Sequence, residues 1–199
     1  MYDAVNSRYT YKNSDVLKNK LDIRDEETLK EYEKRIVAVK LVSIIKIVKD
    51  NFGNKFDERR LKFIHMHLFS EVYDFAGQYR LENITKDNFK FSEYTYIEEN
   101  IKSIMKKIDL EKLRNMSFDE LVEFISSLMT DLNVLHPFRE GNGRATREFV
   151  RELLEELGYE INFFDIDYDK ILAASKLAVI DETAQIMLLK SAIKKKNNN

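Results

Sequence analysis

The stretch HPFREGNGRATR, residues 136–147, gathers the only proline of the chain, two of its five glycines and one of its three histidines. Pro137 cannot continue the hydrogen-bond ladder of a preceding helix, so His136 is expected at the mouth of a turn rather than inside the core. Gly141, Asn142 and Gly143 then open a second helix. Glycines there admit a ligand close to the backbone, and free amides at a helix start favour an anion. Arg144 and Arg147, three residues apart, share a helix face and extend the anion site; Arg151 continues the row one turn deeper. Glu140 would repel a phosphate unless a divalent cation lay between them. Magnesium, held by one carboxylate plus substrate phosphate oxygens, resolves that conflict. These residues therefore point to a magnesium nucleotide or polyphosphate. The ordinary pKa of an imidazole, about 6.5, suits His136 to accept a proton near neutral pH. Beside an activated phosphate it would deprotonate an incoming hydroxyl, and transfer of a phosphorus-containing group to that hydroxyl follows.

The elements that must position these residues are helical. With one proline and five glycines in 199 residues there is little punctuation, so long helices are expected. A stripe from Leu29 through Ile36, Leu41, Ile44 and Val48 predicts a helix over 27–50, ended by Asn51-Phe52-Gly53. Leu61, Ile64, Leu68, Val72 and Phe75 predict a second over about 57–75. Alternation in NITKDNFKFS, residues 83–92, predicts a short hairpin, followed by a helix over about 95–107. Ser117 and Glu120 have the spacing of a capping box and open an apolar helix running to Leu135. Beyond the twelve residues come a helix ending near Gly158 and two more, over about 168–178 and 182–195. The expectation is one mostly helical domain with a single hairpin, no internal repeat and no linker.

Composition narrows the setting. Apolar residues make up 44% and charged residues 34%, with a net charge of −2, so no global field draws the chain to nucleic acid or a membrane. Lys194-Lys195-Lys196 and the three asparagines after them read as a frayed end. There is no cysteine, which excludes disulfides, thiolate metal sites and a cysteine nucleophile and fits a reducing compartment. No apolar run reaches membrane-spanning length and no signal pattern opens the chain, so the expectation is a cytoplasmic protein.

The twelve residues match the signature H-x-F-x-[D/E]-G-N-G-R-x-x-R of the Fic-domain family at His136, Phe138, Glu140, Gly141, Asn142, Gly143, Arg144 and Arg147. FSEVYDFAGQYR and NITKDNFKF resemble the family's approach to its β-hairpin flap, and YTYKNSDVLKNKL resembles the start of compact bacterial members, the "cell filamentation" type. The resemblance implies a mainly α Fic fold: a helical bundle with a helix-loop-helix active-site core and one short flap. It covers residues 1–199 as a single domain, with a core of about 55–160 and helices 14–51 and 168–195 packed on it. It implies AMP transfer from ATP to a Tyr, Thr or Ser hydroxyl of a protein, releasing pyrophosphate, with His136 as base and Glu140 on magnesium. Backbone at Gly141–Gly143 and the Asn142 side chain would hold the phosphates, with Arg144 on the β-phosphate and Arg147 on the γ-phosphate. Phe138 would anchor the loop in the core. The flap residues Thr85, Lys86, Asp87, Asn88, Phe89, Lys90 and Phe91 would clamp the target by strand pairing.

Within the family, a phosphorylating relative carries lysine where Gly143 stands, so Gly143 favours adenylylation. Phosphocholine transfer, removal of AMP, or a toxin-like binding role toward a small antitoxin are the alternatives. Targets of relatives include topoisomerase subunits such as DNA gyrase, or the enzyme itself. The family's inhibitory helix motif, [S/T]-x-x-x-E-[G/N], is matched only by Thr95 to Asn100, just after the flap, where no inhibitory helix belongs. A separate small partner, a helix beyond Asn199, or absence of control are the readings left open. His65 and His67, two apart on a helix, face different directions and read as structural. Alternation places Phe89 and Phe91 on one face without separating core packing from target clamping, and Arg151 reads as a surface arginine.

Overall fold

The computed structural model describes residues 7–196. Eight α-helices carry them: α1 (Glu26–Phe52), α2 (Glu58–Phe69), α3 (Ile97–Met105), α4 (Leu110–Arg114), α5 (Phe118–Leu135), α6 (Asn142–Glu156), α7 (Tyr168–Leu177) and α8 (Thr183–Ala192). Two antiparallel ribbons complete them: β1 (Thr85–Lys86) with β2 (Phe89–Lys90), and β3 (Tyr159–Glu160) with β4 (Lys194–Lys195). The hydrophobic core runs from Val16 to Ile193.

The pair α5 and α6, joined by the turn of residues 136–141, is the centre. From α5, Leu121, Val122, Ile125, Leu128, Leu132 and Leu135 are buried; from α6, Ala145, Phe149, Val150, Leu153 and Leu154. Those spacings are the three-and-four periodicity of an amphipathic helix. α6 packs on α2 and α5, α2 on α1, and α5 also meets α3, α7 and α8. Gln185 of α8 joins in through its side-chain amide, donating to the Ser126 carbonyl at 3.0 Å and to Thr130 Oγ1 at 3.1 Å.

Helix starts follow local chemistry. Asp25, Asp57, Asp109 and Asp167 each accept hydrogen bonds from the first-turn amides of α1, α2, α4 and α7. The Ser117–Glu120 capping box forms as the spacing predicts. α6 differs: Gly141 precedes it and no side chain caps it.

Four expectations need correction. Residues 14–25 are not helical; positive φ at Asp22 and the Asn19 side chain, which bonds the backbone of residues 17–23, hold them in turns. The helix expected over 57–75 ends at Phe69, because the chain folds back so that the Gly77 N–H reaches Nδ1 of His65 at 2.8 Å. The hairpin is not the only one: α8 stops at Ala192, and Lys194 and Lys195 leave it to pair with Glu160 and Tyr159. The lysines read as a frayed end are therefore ordered, with Lys196 Nζ 2.7 Å from Glu155; the three asparagines lie outside the described residues. α4 went unread because five residues carry too little periodicity. No helix among the described residues is long and apolar enough to cross a membrane.

The capping box offers a direct check. Ser117→Ala should lower the unfolding free energy by about 1 kcal/mol in denaturant melts, with nucleotide affinity unchanged because α5's start lies at the far end from His136.

Candidate active site

The site is the turn between α5 and α6. His136 caps α5 in the left-handed region, φ +48°, with its own N–H on the Leu132 carbonyl at 3.0 Å. That conformation costs a non-glycine residue about 1 kcal/mol, and Arg80 supports it. Arg80 is 1% exposed; Nε donates to the His136 carbonyl at 2.8 Å, Nη2 to the carbonyls of Leu135 and Ser92, and Nη1 to that of Glu82 at 2.7 Å. The Arg80 backbone N–H meets the Pro137 carbonyl at 2.9 Å. A buried cation thus satisfies the carbonyls that a helix leaves open at its end.

The imidazole is buried rather than presented at an open mouth. The Phe91 ring stacks on it at 3.9 Å, and Phe91 is itself buried. Nδ1 lies 3.1 Å from the Asn133 carbonyl, which can only accept, so Nδ1 carries the proton and Nε2 is the basic nitrogen. Burial pushes its pKa down to about 3; the Asn133 carbonyl opposes the shift and the charges of Arg80, Lys86 and Arg139 add to it. His136 is therefore neutral at any ordinary pH, and the same burial makes it a weaker base than a free imidazole while Phe91 covers it.

Three side chains hold the loop from within. Phe138 is buried and stacks on His65 at 3.8 Å. His65 Nε2–H donates to the Glu140 carbonyl at 2.8 Å, while its Nδ1 accepts from Gly77. The Asn142 amide spans the turn, accepting from Phe138 N–H and donating to the Phe138 carbonyl, both at 2.8 Å. The loop takes one of the two amide hydrogens and fixes the side chain in place, so Asn142 keeps a second side-chain donor besides its backbone N–H. Gly141 has φ +79°, and a Cβ there would overlap the buried Phe69 ring. That glycine serves packing first. Gly143 is different: a Cβ would sit 3.1 Å from Arg147 Nη1, so its bareness makes room for that guanidinium.

The two motif arginines differ sharply in company. Arg144 Nη1 pairs with Glu33 Oε1 of α1 at 2.6 Å, and Nη2 lies 3.5 Å from Glu140 Oε1. Burial would ease its proton off, but the charges of Glu33 and Glu140 outweigh that and raise its pKa. Arg147 makes no ion pair among the described residues; burial lowers its pKa, Tyr168 opposes this, and Arg144 adds to it. A half-buried cation with no counter-ion among the described residues, its Nη1 beside Gly143 at an uncapped helix start, suits an anion. Glu140, 31% exposed in its side chain, also accepts from Gly141 N–H at 2.9 Å. Arg151 does not continue the row: Glu148 and Glu155 pair with it at 2.7 and 2.8 Å.

In the flap, Asp87 and Asn88 both have positive φ, the signature of a tight hairpin turn, and Thr85 pairs with Lys90, Lys86 with Phe89. The tip is tied to α7 by Lys176–Asp87 at 2.7 Å, and Ser92 N–H is tied to the Val134 carbonyl of α5 at 3.1 Å. Phe91 covers His136, whereas Phe89 meets Phe91 edge-on and stays half-buried. Glu99 lies exposed on α3 and makes no ion pair with either motif arginine.

The model of the Fic/DOC family matches residues 55–154, half of the chain. The chain belongs to the Fic/DOC family. Over 175 residues this Fic protein is 37% identical to the protein adenylyltransferase VbhT of Bartonella schoenbuchensis, covering 87% of this chain and 36% of that one. It thus spans about a third of that relative's length. It is 26% identical to the probable protein adenylyltransferase Fic of Escherichia coli, over 93% of this chain and 90% of the relative. The Fic domain of a Bartonella quintana cell filamentation protein with bound ADP superposes with a TM-score of 0.81, at 26% identity and 95% coverage of both chains. Bartonella tribocorum BepC with bound AMPPNP shares the fold, at a TM-score of 0.86, 24% identity, and coverage of 95% and 97%.

Sequence reasoning missed Arg80, Glu33 and the supporting role of His65. No motif spacing links them to residues 136–147, and only an unusually buried arginine or glutamate would have marked them.

Two outcomes test this geometry. Gly141→Ala should cost about 3 kcal/mol or fail to fold, while Gly143→Ala should fold normally, which thermal melts will separate. Acid should weaken the protein through His136: the unfolded chain takes up its proton near pH 6.5 while the folded chain resists until about pH 3. Stability is then full above pH 6.5 and falls as the pH drops, by about 2 kcal/mol at pH 5 from this residue alone. His136→Asn should reduce the fall in unfolding free energy between pH 7 and 5 by about 2 kcal/mol.

Proposed function

We propose that this Fic protein transfers AMP from ATP to a Tyr, Thr or Ser hydroxyl of a protein, releasing pyrophosphate, and acts in the cytoplasm. The observation that carries the reading is a neutral, buried His136, its Nδ1 on the Asn133 carbonyl and Nε2 the basic nitrogen, beside an uncapped helix start and Arg147, which makes no ion pair among the described residues. The relatives described as adenylyltransferases and the nucleotide-bound Fic structures support it.

The chemistry divides among the chain's own residues. The amides at the start of α6, with Arg144 and Arg147, hold and orient the phosphates. The target hydroxyl gives its proton to His136 Nε2 as its oxygen bonds to the α-phosphorus. The bond from that phosphorus to the bridging oxygen breaks, and pyrophosphate carries the electron pair away. Magnesium, when bound, neutralises developing phosphate charge. Glu140 fits it, being a partly exposed carboxylate whose Oε2 makes no hydrogen bond among the described residues, with phosphate oxygens and water to complete the shell. The flap, Thr85–Phe91, receives the target segment, and Phe91 must shift for a hydroxyl to reach His136.

That Arg147 makes no ion pair among the described residues also supports control by a small separate protein, whose glutamate would occupy the place of the terminal phosphate. Toward a target, nothing in the flap favours gyrase over self-modification.

The test uses ATP labelled at the α- or γ-phosphate with this protein in a bacterial lysate. Protein labelled from the α position alone is the expected result; label from γ alone would replace AMP transfer by phosphorylation. His136→Ala should abolish labelling and leave ATP affinity within about threefold, whereas Arg147→Ala should weaken ATP binding.

A further inference from the structure

Arg144 stands between two carboxylates of different kinds. Glu33, within α1, is 6% exposed, and its Oε1 is 2.6 Å from Arg144 Nη1. Glu140 is more exposed and its contact with Nη2 is longer, at 3.5 Å. The Phe69 ring covers one face of the guanidinium, 4.7 Å from its centroid. Among the described residues, Oε2 of Glu33 is buried with no hydrogen bond of ordinary length. The Tyr73 hydroxyl approaches the same carboxylate, its pKa raised by burial, then by the Glu33 charge and by a weak hydrogen bond donated to it. A buried carboxylate that uses only part of its acceptor capacity costs stability, and the ion pair of Glu33 goes to Arg144.

We infer that Glu33 is a positioning residue for the nucleotide site: it pins the Arg144 guanidinium from behind, so that the remaining donors face the phosphates. This rests on the assignment of Arg144 to the phosphates made above. A guanidinium has five donors in one planar fork. Glu33 takes the Nη1 edge through a short, buried contact. Glu140 touches the Nη2 edge only loosely, and that carboxylate is the one suited to magnesium. Loading the nucleotide therefore exchanges Glu140 for phosphate at Nη2, while Glu33 stays.

Two effects of Glu33 oppose each other: its charge repels a phosphate, and its hold saves the cost of ordering a long side chain on binding. Paired at 2.6 Å, Glu33 and Arg144 present a dipole rather than a bare anion. Orientation outweighs repulsion.

Titration calorimetry of ADP with magnesium, together with thermal melts, tests this on the full chain. Glu33→Leu fills the same volume without an acceptor and should weaken ADP about tenfold. Glu33→Gln still offers Nη1 an oxygen and should stay within about threefold of the parent. Arg144→Met should weaken ADP by itself, and adding Glu33→Leu to it should change nothing further. Equal weakening by Glu33→Leu in both backgrounds would mean a general structural effect, and unchanged or tighter binding in the single variant would mean a counter-ion that brakes the site; either overturns the inference while leaving the Arg144 assignment intact. Unchanged affinity in Arg144→Met removes that assignment and the inference with it. Should Glu33→Leu not fold, Glu33→Met removes the same acceptor and carries the same expectation.

Discussion

Ending a helix inside a protein is expensive, and this structure must do so at the residue that carries the chemistry. The last carbonyls of α5 have no partners of their own, and water does not reach them, because His136 and Leu135 are buried. One guanidinium, Arg80, answers for Leu135, His136, Glu82 and Ser92 together. The same contacts lock the base of the flap to the end of α5. Phe91 consequently lies over the imidazole, and the depressed pKa of His136 follows from the burial that this closure imposes.

The motif residues fall into two groups with opposite orientations. Phe138, Asn142 and Gly141 face inward: a ring against His65, an amide stitched across its own turn, and a bare Cα against Phe69. Their work is to keep the turn rigid, so that little entropy is lost when a ligand arrives. Glu140, Arg144, Arg147 and the first amides of α6 face the other way. His65 belongs with the inward group, since it holds the Glu140 carbonyl while leaving that residue's carboxylate available. It is a structural histidine with a functional consequence.

Much of this was legible along the chain. Helix α5 was readable because Ser117 and Glu120 announce its start and Pro137 its end, and α6 because its apolar residues keep strict period. The hairpin was readable from alternation about Asp87 and Asn88. What failed were short or non-local features. Strands β3 and β4 have two residues each and are held together across more than thirty positions of sequence, so no local pattern marks them. α2 ends early because a buried histidine captures the Gly77 amide, and the apolar residues beyond Phe69 are buried in turns that happen to keep helical spacing.

The sequence by itself determined the kinds of chemical group that meet at the α5–α6 turn, their order, and the helices that present them. Those depend on caps, periodicity and a proline, interactions that reach only a few residues. The tertiary structure decided the state of each group: His136 neutral under Phe91, Arg144 clasped by Glu33, Arg147 without a counter-ion among the described residues, Asn142 tied to its own loop. Protonation and pairing depend on burial and on charges brought from distant segments of the chain, and these exist only once the helices have packed.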